Sequence, residues 1–337
     1  MTDLMPSVGY RRNLPVSDPE SLVDVELPVP LPGPNDLLVR VEAVSVNPAD
    51  TKVRANVAPA DGEVKVLGFD AAGVVVGVGS GVTRFVVGDE VYYAGSVGRP
   101  GSNARFHAVD EHVVGHKPET LTFAEAAALP LTTITAWETL FDSFALGKGS
   151  TGTLLVLGAA GGVGSMVIQL ARALTDVTVV ATASRPESRR WAEDLGAHHV
   201  VDHRDLVASV GAVAPAGVDY LISPFTAGNI ERYAEIVRPR GHIVAIDEPE
   251  GLELLPLKAK SISWHWEFMF TRPLFLPTDP TQHDLLEQTA RLVDQGRIRT
   301  TLTTQLGPIN AANLRRAHEL VESSATIGKV VVAGFDR

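Results

Sequence analysis

The sequence predicts an α/β protein in two parts, a doubly wound domain on a parallel sheet and a mostly β domain of short antiparallel strands. Three observations carry this reading. Between residues 151 and 247, short Val/Ile/Leu runs alternate with amphipathic segments, as parallel strands covered on both faces by helices do. Up to about residue 125, strand-like runs are instead broken by Gly, Pro and Asp. The 337 residues also exceed what one hydrophobic core organises.

In chain order, the strand-like runs of the first part are DLLVRVEAVSVN (36–47), GFDAAGVVVGVG (68–79), GDEVYYAG (88–95) and RFHAVDEHVVGH (105–116). The Pro-rich LPVPLPGPND before them reads as an exposed connection. The parallel strands are TLLVLG, VTVVATA, HHVVD, VDYLIS and GHIVAID, with helical patterns GSMVIQLARAL, ESRRWAEDLG and GNIERYAEIVR between them. An aromatic run, SISWHWEFMF, follows residue 250, then helices near 281–295 and 311–322, the latter capped by Asn310, and a closing strand GKVVVAG. As one strand, the aromatic run would put Trp264, Trp266, Phe268 and Phe270 on one face and His265, Glu267 and Met269 on the other.

Composition narrows the function. A net charge of −11 argues against nucleic acid or an anionic membrane as the main partner. The absence of cysteine excludes disulfides and thiolate metal ligands, and it fits a reducing, cytoplasmic setting. The N-terminus lacks the pattern of a signal peptide. The uncharged stretch 154–171, LLVLGAAGGVGSMVIQLA, has the length of a membrane span, but glycines at its centre cost a helix up to about 1 kcal/mol each. It divides into a buried strand, a tight turn and a helix.

That turn carries the chemistry. In G-x-G-x-x-G the glycines give a tight turn, close approach of backbone to pyrophosphate, and close helix–strand packing. Ala159, Gly161 and Gly164 occupy the three positions, so only the first departs. Residues Ala160, Gly161, Gly162, Val163 and Gly164 are the expected pyrophosphate cradle, at the N-terminus of a helix. NAD sites usually carry a carboxylate at the end of the second strand; here Ser184 and Arg185 stand there. A guanidinium grips a 2′-phosphate, so the reading favours NADPH. His203, after the third strand, either joins that pocket or faces solvent.

The motifs SVNPADTK, GFDAAGVVVGVG, GDEVYYAG, HKPETLTFAEAAALPLTTITAWETL, GAAGGVG and GKVVVAGF stand in the order seen in medium-chain dehydrogenases/reductases. The chain most resembles their quinone oxidoreductase branch, in particular the group labelled zinc-type alcohol dehydrogenase-like. The resemblance implies a GroES-like domain over 1–127, completed by about 265–337, and a Rossmann domain over 128–264. It implies an active site in the cleft between them and a hydride passed from NADPH to a quinone or an α,β-unsaturated carbonyl (an enone), commonly in a homodimer. Alcohol dehydrogenation, and NADPH sensing with little turnover, stand as alternatives.

In zinc-dependent members of the superfamily, the resemblance places the catalytic metal ligands at positions matching Asn47, Phe69 with Asp70, and about Leu131. Asn and Phe cannot replace thiolate and imidazole. Nor do the histidines compensate: along a strand, His112 and His116 would lie about 13 Å apart, and His198 and His199 on opposite faces. No metal is expected. Asn47 then either hydrogen-bonds cofactor or substrate carbonyl, or fixes the turn at Pro48. Asp50 and Asp70 read as structural. Of Tyr92 and Tyr93, one could donate a proton while the other packs, and Tyr93 is the catalytic candidate. Phe268 and Phe270 suit a flat acceptor, with the aromatic face otherwise core or dimer contact. Thr133 and Thr135 match nicotinamide-side positions. Lys329 either reaches the cofactor or is solvated.

Overall fold

Residues 3–335 are described by a computed structural model, and their contacts separate Met1–Leu131 with Phe270–Arg337 from Thr132–Met269. The first unit begins with strands β1 (Leu4–Tyr10), β2 (Val23–Pro28), β3 (Asp36–Val46), β4 (Lys65–Val66), β5 (Ala71–Val78), β6 (Glu90–Tyr93), β7 (Phe106–Asp110) and β8 (Val114–His116). The second contributes β9 (Thr153–Val156), β10 (Thr178–Thr182), β11 (His199–Val201), β12 (Val218–Ser223), β13 (Val237–Ala245) and β14 (Ser263–Trp266). The chain then returns to the first unit with β15 (Leu302–Leu306) and β16 (Lys329–Ala333).

In the first unit, β2-β1-β4 form a small sheet, and a seven-stranded sheet runs β15-β16-β3-β5-β6-β8 with β7 also paired to β3. Strand β3 is its spine, antiparallel to β5, β7 and β16. Leu37, Val39, Val41 and Ala43 on it are buried, and so are Val330, Val331 and Val332 of β16. The C-terminal strand therefore lies inside the N-terminal sheet, with Val330 opposite Val46. The helix Ala311–Glu322 starts where Asn310 caps the Asn313 N–H at 2.9 Å.

In the second unit, six parallel strands take the order β11-β10-β9-β12-β13-β14. Val/Ile/Leu runs such as Leu154–Val156 are fully buried, as a sheet covered on both faces requires. The strand order reverses between β9 and β12, and ligands of such sheets bind at that reversal, beyond the strands' carboxyl ends. Stretch 154–171 divides as read into β9, a turn and the helix Gly162–Leu174. No helix among the described residues is long and apolar enough to cross a membrane.

The aromatic run is shorter as a strand than its alternation suggests. β14 ends at Trp266 because β13 ends at Ala245; the last ladder bond runs from the Glu267 N–H to the Ala245 carbonyl. Phe268 and Phe270 lie past that end and do not share a strand face with Trp264 and Trp266. Phe268 is 50% exposed, whereas Phe270 is 2% exposed, belongs to the first unit and meets Phe69 edge-on at 5.1 Å.

The turn between β9 and its helix depends on close packing at one glycine. A Cβ on Gly164 would lie 2.6 Å from both the Ala159 Cα and the Gly158 carbonyl oxygen, whereas one on Gly161 would come no nearer than 3.4 Å to any atom. Gly164→Ala is expected to cost about 1–3 kcal/mol of stability through overpacking, and Gly161→Ala less than about 0.5 kcal/mol, compared by urea denaturation of both variants.

Candidate functional site

In the second unit the site is built on the turn after β9. Gly158 adopts φ +64°, a left-handed conformation that glycine enters without strain. The tight turn expected of the motif's first glycine is thus made one residue earlier, and Ala159 is tolerated, fully buried, beside it. The Gly161 N–H closes the turn on the Gly158 carbonyl at 3.0 Å, and Gly161 caps the helix Gly162–Leu174. The helix's first turn carries no acidic side chain, so its unpaired N–H groups and positive dipole end suit an anion. Packing within the chain accounts for Gly164 but not for Gly161, where a methyl group would fit. A backbone-hugging group such as a pyrophosphate would account for Gly161, so the loop fits a dinucleotide.

At the end of β10, Ser184 is half-buried, and Arg185 is exposed at the N-cap of the helix Pro186–Asp194, its guanidinium 3.4 Å from the Glu187 carboxylate. A second guanidinium that sequence reasoning passed over, Arg189, donates to the carbonyls of Ala183 (3.1 Å) and Val200 (2.7 Å) and ties the ends of β10 and β11 together. His203 is exposed on a single helical turn, His203–Asp205.

Phe225 was also missed. It follows β12, beside β9 at the reversal of strand order, and its ring would lie 3.3 Å from a Cβ on Gly158. Its backbone is pinned: the N–H donates to Ser223 Oγ, and the carbonyl accepts from the Tyr233 hydroxyl and from Asn229 Nδ2. Its side chain nevertheless belongs to a residue 56% exposed. At the end of β13, Asp247 Oδ2 accepts from the Thr226 N–H and hydroxyl, while its buried Oδ1 has no partner. An aromatic directly after a buried strand, in ISPF, was the available signal. Thr133, on the helix Pro130–Trp137, is fully buried with an unpartnered hydroxyl, and Thr135 is also buried.

In the first unit four polar side chains meet in the core. Asn47, Asp50, Asp70 and Lys329 are each 4% exposed or less. The Lys329 ammonium donates to Asp70 Oδ2 at 2.9 Å and to Asn47 Oδ1, and faces the Val46 carbonyl at 3.4 Å. Asn47 Nδ2 donates to Asp70 Oδ2 (2.8 Å) and to the Ser45 carbonyl (3.4 Å). The other Asp70 oxygen accepts the Leu131 N–H at 2.7 Å. Asp50 caps the next helix, accepting the Asn47 N–H (2.8 Å) and the Gly68 N–H (3.0 Å). Burial pushes the Asp50 carboxyl up to about 7 against those two donors and Lys329. Burial raises Asp70 as well, opposed by Lys329, Asn47 and the Leu131 N–H.

Both ends of the Asn47 amide are taken up inside the chain, Oδ1 by Lys329 and Nδ2 by Asp70 and the Ser45 carbonyl. Lys329 is buried rather than solvated, and its charge is spent on Asp70. Zinc does not fit here. Phe69 packs on Phe270, Leu131 offers only an N–H already bound, and an ammonium lies against the two remaining donors, where a second cation would be repelled. Among the described residues no group of three or more His, Asp or Glu could hold a metal ion.

Tyr92 and Tyr93 are both fully buried. Tyr92 donates to the Leu286 carbonyl at 2.6 Å. The carbonyl of Pro100, 2.9 Å from His107 Nε2, can only accept, so that nitrogen carries the proton and Nδ1 accepts the Tyr93 hydroxyl at 3.0 Å. Burial holds His107 down at about 4, hence neutral, and raises the Tyr93 phenol. The Tyr93 hydroxyl thus donates to His107 inside the core. His112 lies on a short turn, Glu111–Val113, not on a strand with His116; the two imidazoles pair separately with Asp110 and Glu287, each at 2.7 Å.

A doubly wound parallel sheet with a dinucleotide-type glycine loop, joined in one chain to a β-rich unit, is an architecture found among dehydrogenases and reductases. The alcohol dehydrogenase GroES-like family model matches residues 33–137, and the model described as zinc-binding dehydrogenase matches residues 195–332. A zinc-type alcohol dehydrogenase-like protein of Staphylococcus epidermidis is 37% identical over 97% of this chain and 99% of its own. A quinone oxidoreductase of Pseudomonas aeruginosa is 31% identical over 89% of this chain and 92% of its own. The crystal structure of a putative zinc-dependent alcohol dehydrogenase protein from Rhizobium etli superposes with a TM-score of 0.96 at 51% identity, covering 100% of both chains. The chain belongs to the medium-chain dehydrogenase/reductase superfamily, in its quinone oxidoreductase branch, and is an oxidoreductase of that family.

The Asp70–Lys329 pair gives a direct test of the core cluster. Lys329→Met leaves a carboxyl buried without its cation and is expected to cost about 3–5 kcal/mol. Combining it with Asp70→Asn should recover most of that loss, read as denaturant midpoints of the two single variants and the double variant.

Proposed function

We propose that this chain is a zinc-independent reductase that passes a hydride from NADPH to a quinone or an enone. The observation that carries the reading is the Lys329 ammonium bound by Asn47 and Asp70. With those donors spent on a fixed cation, this cluster has no ligand set left to polarise an alcohol or a simple carbonyl. The acceptor must then be electrophilic without help, and a quinone, a doubly conjugated enone, is such a compound. The quinone oxidoreductase named among the relatives supports the same class of acceptor.

Bound NADPH supplies the hydride from its nicotinamide ring. The N–H groups of the first helical turn after Gly161 hold the diphosphate, and Gly161 admits it closely. Arg185, with no carboxylate before it at the end of β10, grips the 2′-phosphate, and Ser184 and His203 belong to the same pocket. The Thr133 hydroxyl, buried and unpartnered, is satisfied by the bound nicotinamide end, as is Asp247 Oδ1. Because the Tyr93 proton is tied to His107, the proton that completes the hydroquinone or the saturated ketone comes from solvent.

Steady oxidation of NADPH by 1,4-benzoquinone, unchanged by a chelator, is the expected outcome in a spectrophotometric assay. Chelator-sensitive oxidation of alcohols, or tight NADPH binding without turnover on quinones and enones, would sink the proposal. In the same assay Arg185→Ala should raise the KM for NADPH by about 10- to 100-fold, the loss of charged hydrogen bonds, and leave that for NADH nearly unchanged. Equal losses with the two coenzymes would take Arg185 out of the 2′-phosphate site.

A further inference from the structure

Two histidines on the six-stranded sheet have no part in the chemistry above. His242 on β13 and His265 on β14 are held by adjacent hydrogen-bonded strands, in a register that sets His242 opposite Ser263 and Val244 opposite His265. Side chains two apart on a strand share a face, so both imidazoles stand on one side of the sheet. Their rings lie 5.6 Å apart at 25°, with His242 Nδ1 3.4 Å from His265 Nε2. Tyr220 on β12 stacks on the far side of His242 at 5.8 Å and 22°, and Phe144 packs against Tyr220. The pair is therefore supported from one side and half-buried.

At 3.4 Å the two nitrogens are within reach of a long hydrogen bond, and the same spacing suits two ligands of one ion. A metal ion about 2.0–2.1 Å from each of two imidazole nitrogens in tetrahedral coordination sets them about 3.4 Å apart. Both rings are held below their ordinary pKa, mainly by burial, helped by Arg238 at His242 and by His242 at His265. The guanidinium of Arg238 is itself paired with Asp219 at 2.5 Å, which blunts its repulsion of a cation.

We propose that His242 and His265 form a binding site for one divalent transition-metal ion, its remaining positions filled by water. Imidazole ligands select Cu(II), Ni(II) or Zn(II) over the oxygen-seeking Mg(II) and Ca(II), with Cu(II) bound most tightly. Metal on this chain would accordingly reside on the parallel sheet of the second unit, not at the Asn47–Asp70–Lys329 cluster of the first, and turnover would not require it.

The test is calorimetric titration of the chelator-treated full chain with Cu(II) and with Zn(II) in a non-coordinating buffer at pH 7.5. One saturable ion per chain is expected, with Cu(II) tighter than Zn(II). His242→Gln and His265→Gln, which preserve side-chain bulk, should each weaken Cu(II) binding by about tenfold or more, a loss of about 1.4 kcal/mol or more. The Cu(II) electron paramagnetic resonance spectrum should lose one of its two coupled imidazole nitrogens in either variant, a change that general destabilisation would not produce. His198→Gln, on another strand edge, should leave binding intact. No saturable site in the unsubstituted chain, or a site that survives both substitutions, overturns the proposal.

Discussion

The first unit depends on one buried ion pair. Lys329 opens the last strand and reaches Asp70, which stands at the start of β5, while Asn47 at the end of β3 completes the cage. A single ammonium thereby joins three strands far apart in sequence, and through the second Asp70 oxygen it holds the Leu131 N–H as well. Charges this deep are costly to desolvate, and the cost is met only because almost every lone pair and proton in the cluster finds a partner. The same satisfaction makes the cluster inert as a metal site: its donors are already occupied by a cation of the chain's own.

The second unit is organised by a different constraint, the approach of backbone to backbone under the helix Gly162–Leu174. Gly164 lies so near Ala159 that no side chain fits, and Gly158 turns through positive φ. Gly161 is under neither constraint. The chain's own packing does not require a glycine there, and in the proposed function that position admits the diphosphate. The positive-φ turn at Gly158 is what lets alanine stand at position 159.

Residues expected at the site divide by whether their polar atoms face inward. Tyr93 and Asn47 are engaged in the core by partners on other strands, His107 and Lys329. Thr133 and Asp247 gain weight because each keeps a buried oxygen without a partner. Phe270 and Phe268 separate because the neighbouring strand stops at Ala245 and the ladder can go no further. None of these outcomes follows from residue type alone.

The linear order of residues by itself determined what depends on local physics. Strand and helix periodicity, the break of stretch 154–171 at its glycines, the Asn310 cap and the doubly wound alternation are all set within a few residues of one another, so they were legible before any fold was known. The glycine loop was legible for the same reason. Tertiary structure alone decided which polar groups are consumed in the core, because that depends on contacts such as Asn47 with Lys329, 282 residues apart. It also decided where Arg189 and Phe225 sit and that His242 faces His265, because strand order and register, not spacing along the chain, bring neighbouring strands side by side.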